Sequence, residues 1–188
     1  MTMKGFSRNN LLLSLCGLNC GLCPMRLDGR CPGCGGGEGN QSCKLAKCSL
    51  EHKNVVYCCD CGSYPCEKYQ HFDDFDSFIT HRRRAADLMR MKEIGEDAYN
   101  AEQREKVEIL QFLLAHFNDG RRKSFFCAAV NLLELSELRE VTRRLREIHA
   151  MNDIPQKESS ACAVKLLQEA AVRQNIVLKL RRKTKKTL

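Results

Sequence analysis

Hydrophobic and polar residues are spaced differently in the two halves of this chain. Between Cys16 and Cys66 apolar residues are sparse, and glycine and proline interrupt the segment at short intervals, which indicates turns. We expect knuckles and turns there, with a short hairpin around residues 55–57. From about residue 71 onward apolar residues recur every three or four positions, which predicts a series of helices and no long strand.

The predicted helices have recognisable starts. The aspartate cluster at residues 73–76 is suited to cap a first helix that begins near Phe75 and ends at Gly95, with Phe78, Ile79, Ala86 and Met89 on its apolar side. The other helices are predicted to begin near Asn100, at Ser124, at Ser136 and at Ser159 or Ser160. The helix from Ser124 is apolar nearly all round and should be buried.

These patterns predict three parts. Residues 11–70 should form a small Cys-rich, metal-stabilised domain of the zinc-knuckle or ribbon type with little regular structure, because side-chain burial alone could hardly hold this segment folded. Residues 71–150 should form an all-α helical bundle, and residues 151–188 a basic helix and tail. The run GGGEGN at residues 35–40 should be an exposed loop.

Charge is distributed unevenly along the chain. The formal net charge of +8 consists of +3 over residues 1–66, −4 over residues 67–120 and +9 over residues 121–188. The tail Lys179–Leu188 has six basic residues in ten and no acid, a composition that could bind nucleic acid or simply keep the chain in solution. The run Arg82–Arg84 is interpreted instead as a solvated helix face with local ion pairs.

The N-terminus and the cysteine content predict a cytoplasmic protein. The apolar run Leu11–Leu15 is interrupted by a serine and is shorter than the roughly 7–15 residues of a signal-peptide core. No stretch approaches the roughly 20 apolar residues of a membrane span. In a reducing compartment, clustered cysteines favour metal binding over disulfides.

Zinc is the leading interpretation of the cysteines, with two ions expected. Zinc prefers four thiolates in a tetrahedron, and a C-x-x-C pair supplies two of them from one turn. One site could form locally from Cys20, Cys23, Cys31 and Cys34. A second site would take four ligands from Cys43, Cys48, Cys58, Cys61 and Cys66. A cross-braced arrangement, in which alternate pairs share ions, fits the spacing equally well. Cys16 brings the number of candidate ligands to ten, and Cys59 is not among them. His52 could replace one thiolate in the second site.

An iron–sulfur cluster is the alternative. Cys16, Cys20 and Cys23 have the C-x₃-C-x₂-C spacing of radical S-adenosylmethionine enzymes, but no alternation of strands and helices follows to build their barrel. No catalytic motif is found in the chain. Cys127 and Cys162 lie in apolar helical settings and are expected to be small core residues.

The cysteine motifs occur in a recognisable order over about residues 13–70. They are Cys16-Gly17, Cys20, Cys23-Pro24, Cys31-Pro32-Gly33-Cys34, Cys43, Cys48, and a closing block with Cys58, Cys61 and Tyr64-Pro65-Cys66-Glu67-Lys68. This order resembles the domain of unknown function 3795 family, whose members are common in anaerobic bacteria and archaea and are regarded as metal binders of unknown activity. The resemblance implies metal binding in a prokaryotic cell and supplies no reaction. Cys59 and the basic tail lie outside the pattern.

The sequence therefore predicts a zinc-binding protein that acts as a structural or interaction module with a protein partner. One alternative is an iron–sulfur redox or radical protein that uses Cys16, Cys20 and Cys23. Another is a zinc-stabilised nucleic-acid binder that uses the tail Lys179–Leu188 and the basic run at residues 121–123. No enzymatic activity is predicted.

Overall fold

The computed structural model describes residues 4–37, 43–150 and 154–182. Within these ranges there are seven α-helices and no strand, apart from an isolated antiparallel bridge between Leu13 and Asn19. The helices are α1 (Pro24–Leu27), α2 (Lys44–Glu51), α3 (Arg84–Ile94), α4 (Glu96–His116), α5 (Lys123–Leu132), α6 (Leu135–Ala150) and α7 (Gln156–Arg173). The predicted all-α region is thereby confirmed.

Contacts divide the chain into two units. Unit 1 comprises residues 1–103 and 180–188, and unit 2 comprises residues 104–179. The boundary between the units falls inside α4, whereas the sequence pattern predicts boundaries near residues 70 and 150. Those three parts stay a prediction. Part of the predicted loop at residues 35–40 and the tail beyond residue 182 lie outside the described residues.

Unit 1 packs the cysteine segment against α3. Its largest buried cluster consists of Leu13, Tyr57, Cys59, Leu88, Met91 and Tyr99. The hairpin predicted around residues 55–57 is wrong, because Tyr57 is buried in this cluster and Val56 is exposed in an irregular segment. Gly17 lies so close to α3 that a side chain there would meet the backbone of Arg84.

The predicted start of the first long helix is wrong, since α3 begins at Arg84. The aspartates expected to cap it are engaged elsewhere. Asp73 pairs with the Arg84 guanidinium, and Asp76 accepts hydrogen bonds from the His81 and Arg181 N–H groups, each at 2.8 Å. The segment before α3 is therefore held by these carboxylates in a non-helical path.

Three of the four side chains predicted for the apolar face of this helix are exposed. Phe78 is 65% exposed, Met89 is 47% exposed and Ala86 is exposed as well, whereas Ile79 is buried. The helix instead buries Leu88 and Met91 together with Arg84, which is only 4% exposed. The interpretation of Arg82–Arg84 as a solvated face therefore fails at Arg84, while its expectation of local ion pairs is confirmed by the pair with Asp73.

Unit 2 is formed by the C-terminal part of α4 and helices α5 to α7. The prediction that α5 is buried is confirmed, because every residue from Phe126 to Leu132 is buried. Helix α6 buries Leu138, Val141 and Leu145, as its spacing predicts. Helix α7 begins at Gln156, so Ser159 and Ser160 are buried inside it and do not cap it. No helix in the described ranges is long and apolar enough to cross a membrane.

Candidate metal centre

All ten cysteines predicted as metal ligands lie in unit 1 within the described residues, and all are free thiols. Two of the three C-x-x-C pairs adopt the same tight turn. The Cys23 N–H donates to the Cys20 carbonyl and the Cys61 N–H to the Cys58 carbonyl, each at 3.1 Å. Cys43 caps the start of α2, and Cys48 lies within that helix.

Four cysteines form what we call the first thiol group: Cys16, Cys20, Cys34 and Cys43. The pKa of Cys20 is raised to about 12, chiefly by burial and further by the thiols of Cys34 and Cys16. The pKa of Cys34 is raised to about 11 by burial, and the thiols of Cys16 and Cys43 add to the rise. Thiols from three separate segments therefore lie within electrostatic range of one another.

Cys23 and Cys31 form a pair beside the first thiol group. Burial raises the pKa of Cys23, and the Cys31 thiol raises it further. The loop between them curls back, since the Cys31 N–H donates to the Met25 carbonyl at 3.1 Å. The Cys23 thiol also adds to the rise in the pKa of Cys20, so this pair lies within electrostatic range of the first thiol group.

Four further cysteines, the second thiol group, line one cavity of about 30 Å³: Cys48, Cys58, Cys61 and Cys66. All four belong to the five from which the sequence predicted a second site. The pKa of Cys58 is raised to about 12, chiefly by burial, although a hydrogen bond from Tyr69 opposes the rise. The apolar wall of the cavity includes Leu15, Leu45 and Val55.

Hydrogen-bond donors surround the buried thiols. Burial raises the pKa of Cys16, and hydrogen bonds from Ser14 and the Leu18 N–H oppose the rise. The Ser14 Oγ lies 3.2 Å from the Cys16 Sγ. Because such donors stabilise a thiolate more than a neutral thiol, these surroundings favour the charged form as far as burial allows.

The Tyr69 hydroxyl is buried at the edge of the second thiol group. Its contact with the Cys58 thiol falls outside ordinary hydrogen-bond geometry, and it has no other partner. Burial and this contact with the Cys58 thiol both raise the pKa of Tyr69. Buried hydroxyls are normally satisfied, and a thiolate at Cys58 would be a much stronger acceptor than a thiol.

Among the described residues, no three Cys, His, Asp or Glu side chains are arranged, as they stand, to hold a metal ion. The second thiol group shares a cavity without closing on a common point. His52, predicted as an alternative ligand, lines the same cavity with its Nδ1 3.5 Å from the Cys48 Sγ and 2.8 Å from the Cys48 carbonyl oxygen. Cys59 is buried in the cluster with Tyr57.

The remaining sequence predictions concern unit 2 and the basic segments. Cys127 is buried in α5, which confirms its interpretation as a core residue. Cys162 is half-buried in α7. In the basic run before α5, Arg122 pairs with Asp119 at 3.5 Å between Nε and Oδ2. Of the basic tail, residues 183–188 lie outside the described chain, and Arg181 binds Asp76.

The residues that contact the thiol groups from outside the cysteine motifs were not predicted from the sequence. Tyr69 directly follows the closing motif block, and this position was the only signal available for it. Nothing in the sequence indicated that the Arg84 Nη1 donates to the Cys16 carbonyl oxygen at 3.3 Å. That contact joins positions 68 apart in the chain.

Comparisons of the chain with known protein families, with curated proteins and with solved structures find no match. The resemblance to the domain of unknown function 3795 family therefore stays a prediction.

Proposed function

We propose that this protein binds two zinc ions through thiolates of unit 1 and acts as a structural module for interaction with a protein partner. One observation carries the proposal: the four thiols of the second group line a single small cavity beside a buried hydroxyl that lacks a full partner. Four thiolates complete the tetrahedron of zinc and leave no open position, which is the pattern of structural sites.

The electrostatics of the thiols favour a bound cation. Cys20 and Cys58 both have a pKa raised to about 12 by burial and by neighbouring thiols, so neither would ionise alone near neutral pH. A divalent ion displaces the thiol protons and offsets both the burial and the mutual repulsion of the thiolates. With an ion bound, the hydrogen-bond donors around Cys16 would donate to a thiolate, and so would the Tyr69 hydroxyl.

Within the second thiol group, the size of the cavity favours a single ion over an iron–sulfur cluster. A volume of about 30 Å³ holds about two or three water-sized particles, since one water needs roughly 10–15 Å³ by this measure. A [4Fe–4S] cluster adds four irons and four sulfides.

The first thiol group is assigned to the second ion. Its thiols come from three segments, and all four precede the second thiol group in the chain. The resemblance to the domain of unknown function 3795 family leads to the same expectation of metal binding.

The test compares Cys61→Ser with Cys162→Ser, a matched change of a half-buried thiol in α7 of unit 2. Both proteins and the parent chain are purified without oxygen, and zinc per chain is measured. Cys61→Ser should lose about one zinc, because a four-ligand site is left with three thiolates, and Cys162→Ser should lose none. Equal zinc in all three proteins would refute the second site. Iron with a brown colour would favour the cluster alternative.

A further inference from the structure

One residue of backbone joins the two thiol groups. Leu15 directly precedes Cys16 of the first thiol group in the chain. The carbonyl oxygen of the same Leu15 accepts from the Cys58 N–H at 2.9 Å. Its side chain is only 2% exposed and lines the cavity of the second thiol group. A shift of either thiol group therefore moves the backbone that holds the other.

A buried cation makes a second connection. The Arg84 Nη1 donates to the Cys16 carbonyl oxygen at 3.3 Å, and the Arg84 Cζ lies 4.2 Å from the centre of the Tyr69 ring. Asp73 fixes the guanidinium through contacts of 2.8 Å (Nε to Oδ1) and 2.5 Å (Nη2 to Oδ2). Tyr69 and Cys58 line the same cavity, so Arg84 links the backbone of Cys16 to the wall of the second thiol group.

Because of these connections, the binding of either ion orders parts of the backbone that both thiol groups use. An ion bound to either group must fix its thiols in place, and ordering the backbone opposes binding. Because Leu15 and Arg84 serve both groups, the first ion orders elements that the second ion also needs.

We propose that the two thiol groups load zinc cooperatively, coupled through the Leu15 backbone and the Arg84–Tyr69 stack. The inference rests on the proposed zinc binding, which it extends from two separate sites to one linked unit. Couplings between protein sites typically change affinity by about 5–150-fold, and reciprocity requires the same factor in both directions.

The first experiment is native mass spectrometry of the reduced, metal-free protein with one zinc added per chain. For two equal and independent sites about half of the molecules would carry one ion, and a tenfold coupling lowers that fraction to about one quarter. We expect the apo and two-zinc forms to dominate. Two bound ions with half or more of the molecules in the one-ion form, together with unchanged single-site affinities in the variants below, would overturn the coupling and leave the proposed zinc binding intact. No bound zinc would overturn the proposed function itself.

A second experiment separates coupling from unequal affinities. Cys20→Ser disables the first group and Cys61→Ser the second, and the zinc affinity of the surviving site is measured by competition with a chelator. Each surviving site should bind about 5–150-fold more weakly than in the parent chain, by the same factor in both variants. Unchanged affinities in both would overturn the proposal.

A milder pair of variants tests the Arg84–Tyr69 connection. Tyr69→Phe keeps the ring beside Arg84 and removes the hydroxyl that faces Cys58. Tyr64→Phe is the matched control, since its ring lines the same cavity. Tyr69→Phe should bind two zinc ions with a larger one-ion fraction than Tyr64→Phe, and equal fractions would exclude Tyr69 from the coupling.

Discussion

Gly17→Ala tests whether the cysteine segment depends on close packing against α3. Gly17 has a φ of +92°, and a Cβ there would lie 2.3 Å from the Arg84 carbonyl oxygen and 2.8 Å from the Leu88 Cγ. The nearest atom is helix backbone, which cannot move aside as a flexible side chain can. The left-handed conformation alone destabilises an alanine by about 1–2 kcal/mol. The forced overlap adds about 1–3 kcal/mol or more, as overpacking does in a well-packed core.

The control for this experiment is Gly29→Ala. Gly29 also has a positive φ, +69°, but nothing lies within 4 Å of the position of its Cβ. Urea unfolding monitored for unit 1 should therefore show a loss of about 1–2 kcal/mol for Gly29→Ala and a loss larger by about 1–3 kcal/mol for Gly17→Ala. Equal losses would refute the close approach between Gly17 and α3.

Two further predictions concern residues outside the thiol groups. Burial raises the pKa of Asp76, but hydrogen bonds from Arg181 and the His81 N–H hold it below its ordinary value. Its stabilising contribution is therefore complete above the unfolded-state pKa of about 3.9 and is lost as pH falls through the folded pKa. Asp76→Asn should remove about 1.5–3 kcal/mol at pH 7, measured by urea unfolding, and should weaken the loss of stability below about pH 4; an unchanged pH profile would contradict this. Phe126→Ala, at a fully buried position of α5, should destabilise unit 2 by about 3–5 kcal/mol and leave zinc per chain unchanged. A parallel loss of zinc would show that the metal sites need unit 2.

The helices were predictable where local spacing decides the structure. In α5 and α6 the apolar residues recur at helical intervals and are buried, as that pattern requires. The start of α3 was not predictable, because Asp76 binds Arg181, which lies 105 positions further along the chain. A carboxylate before an apolar run is typical of a helix cap. At Asp76 the bond to this distant arginine takes the place of a cap, and local sequence does not reveal it.

The candidate site was predictable in composition and not in pairing. The turns at Cys20–Cys23 and at Cys58–Cys61 follow from the C-x-x-C spacing, which closes them by a local hydrogen bond. The grouping of Cys16 with Cys43 depends on how separate loops pack around Leu15. That packing is set by contacts between distant segments, and no spacing rule specifies it.

The central claim is tested most directly by the metal content and the visible spectrum of the parent chain, expressed and purified without oxygen. Closed thiolate sites predict about two zinc ions per chain and no absorbance near 400 nm, since zinc has a filled d shell. A folded protein without metal would contradict the claim. About three to four irons per chain with a broad brown absorbance would also contradict it and would indicate an iron–sulfur cluster in place of zinc.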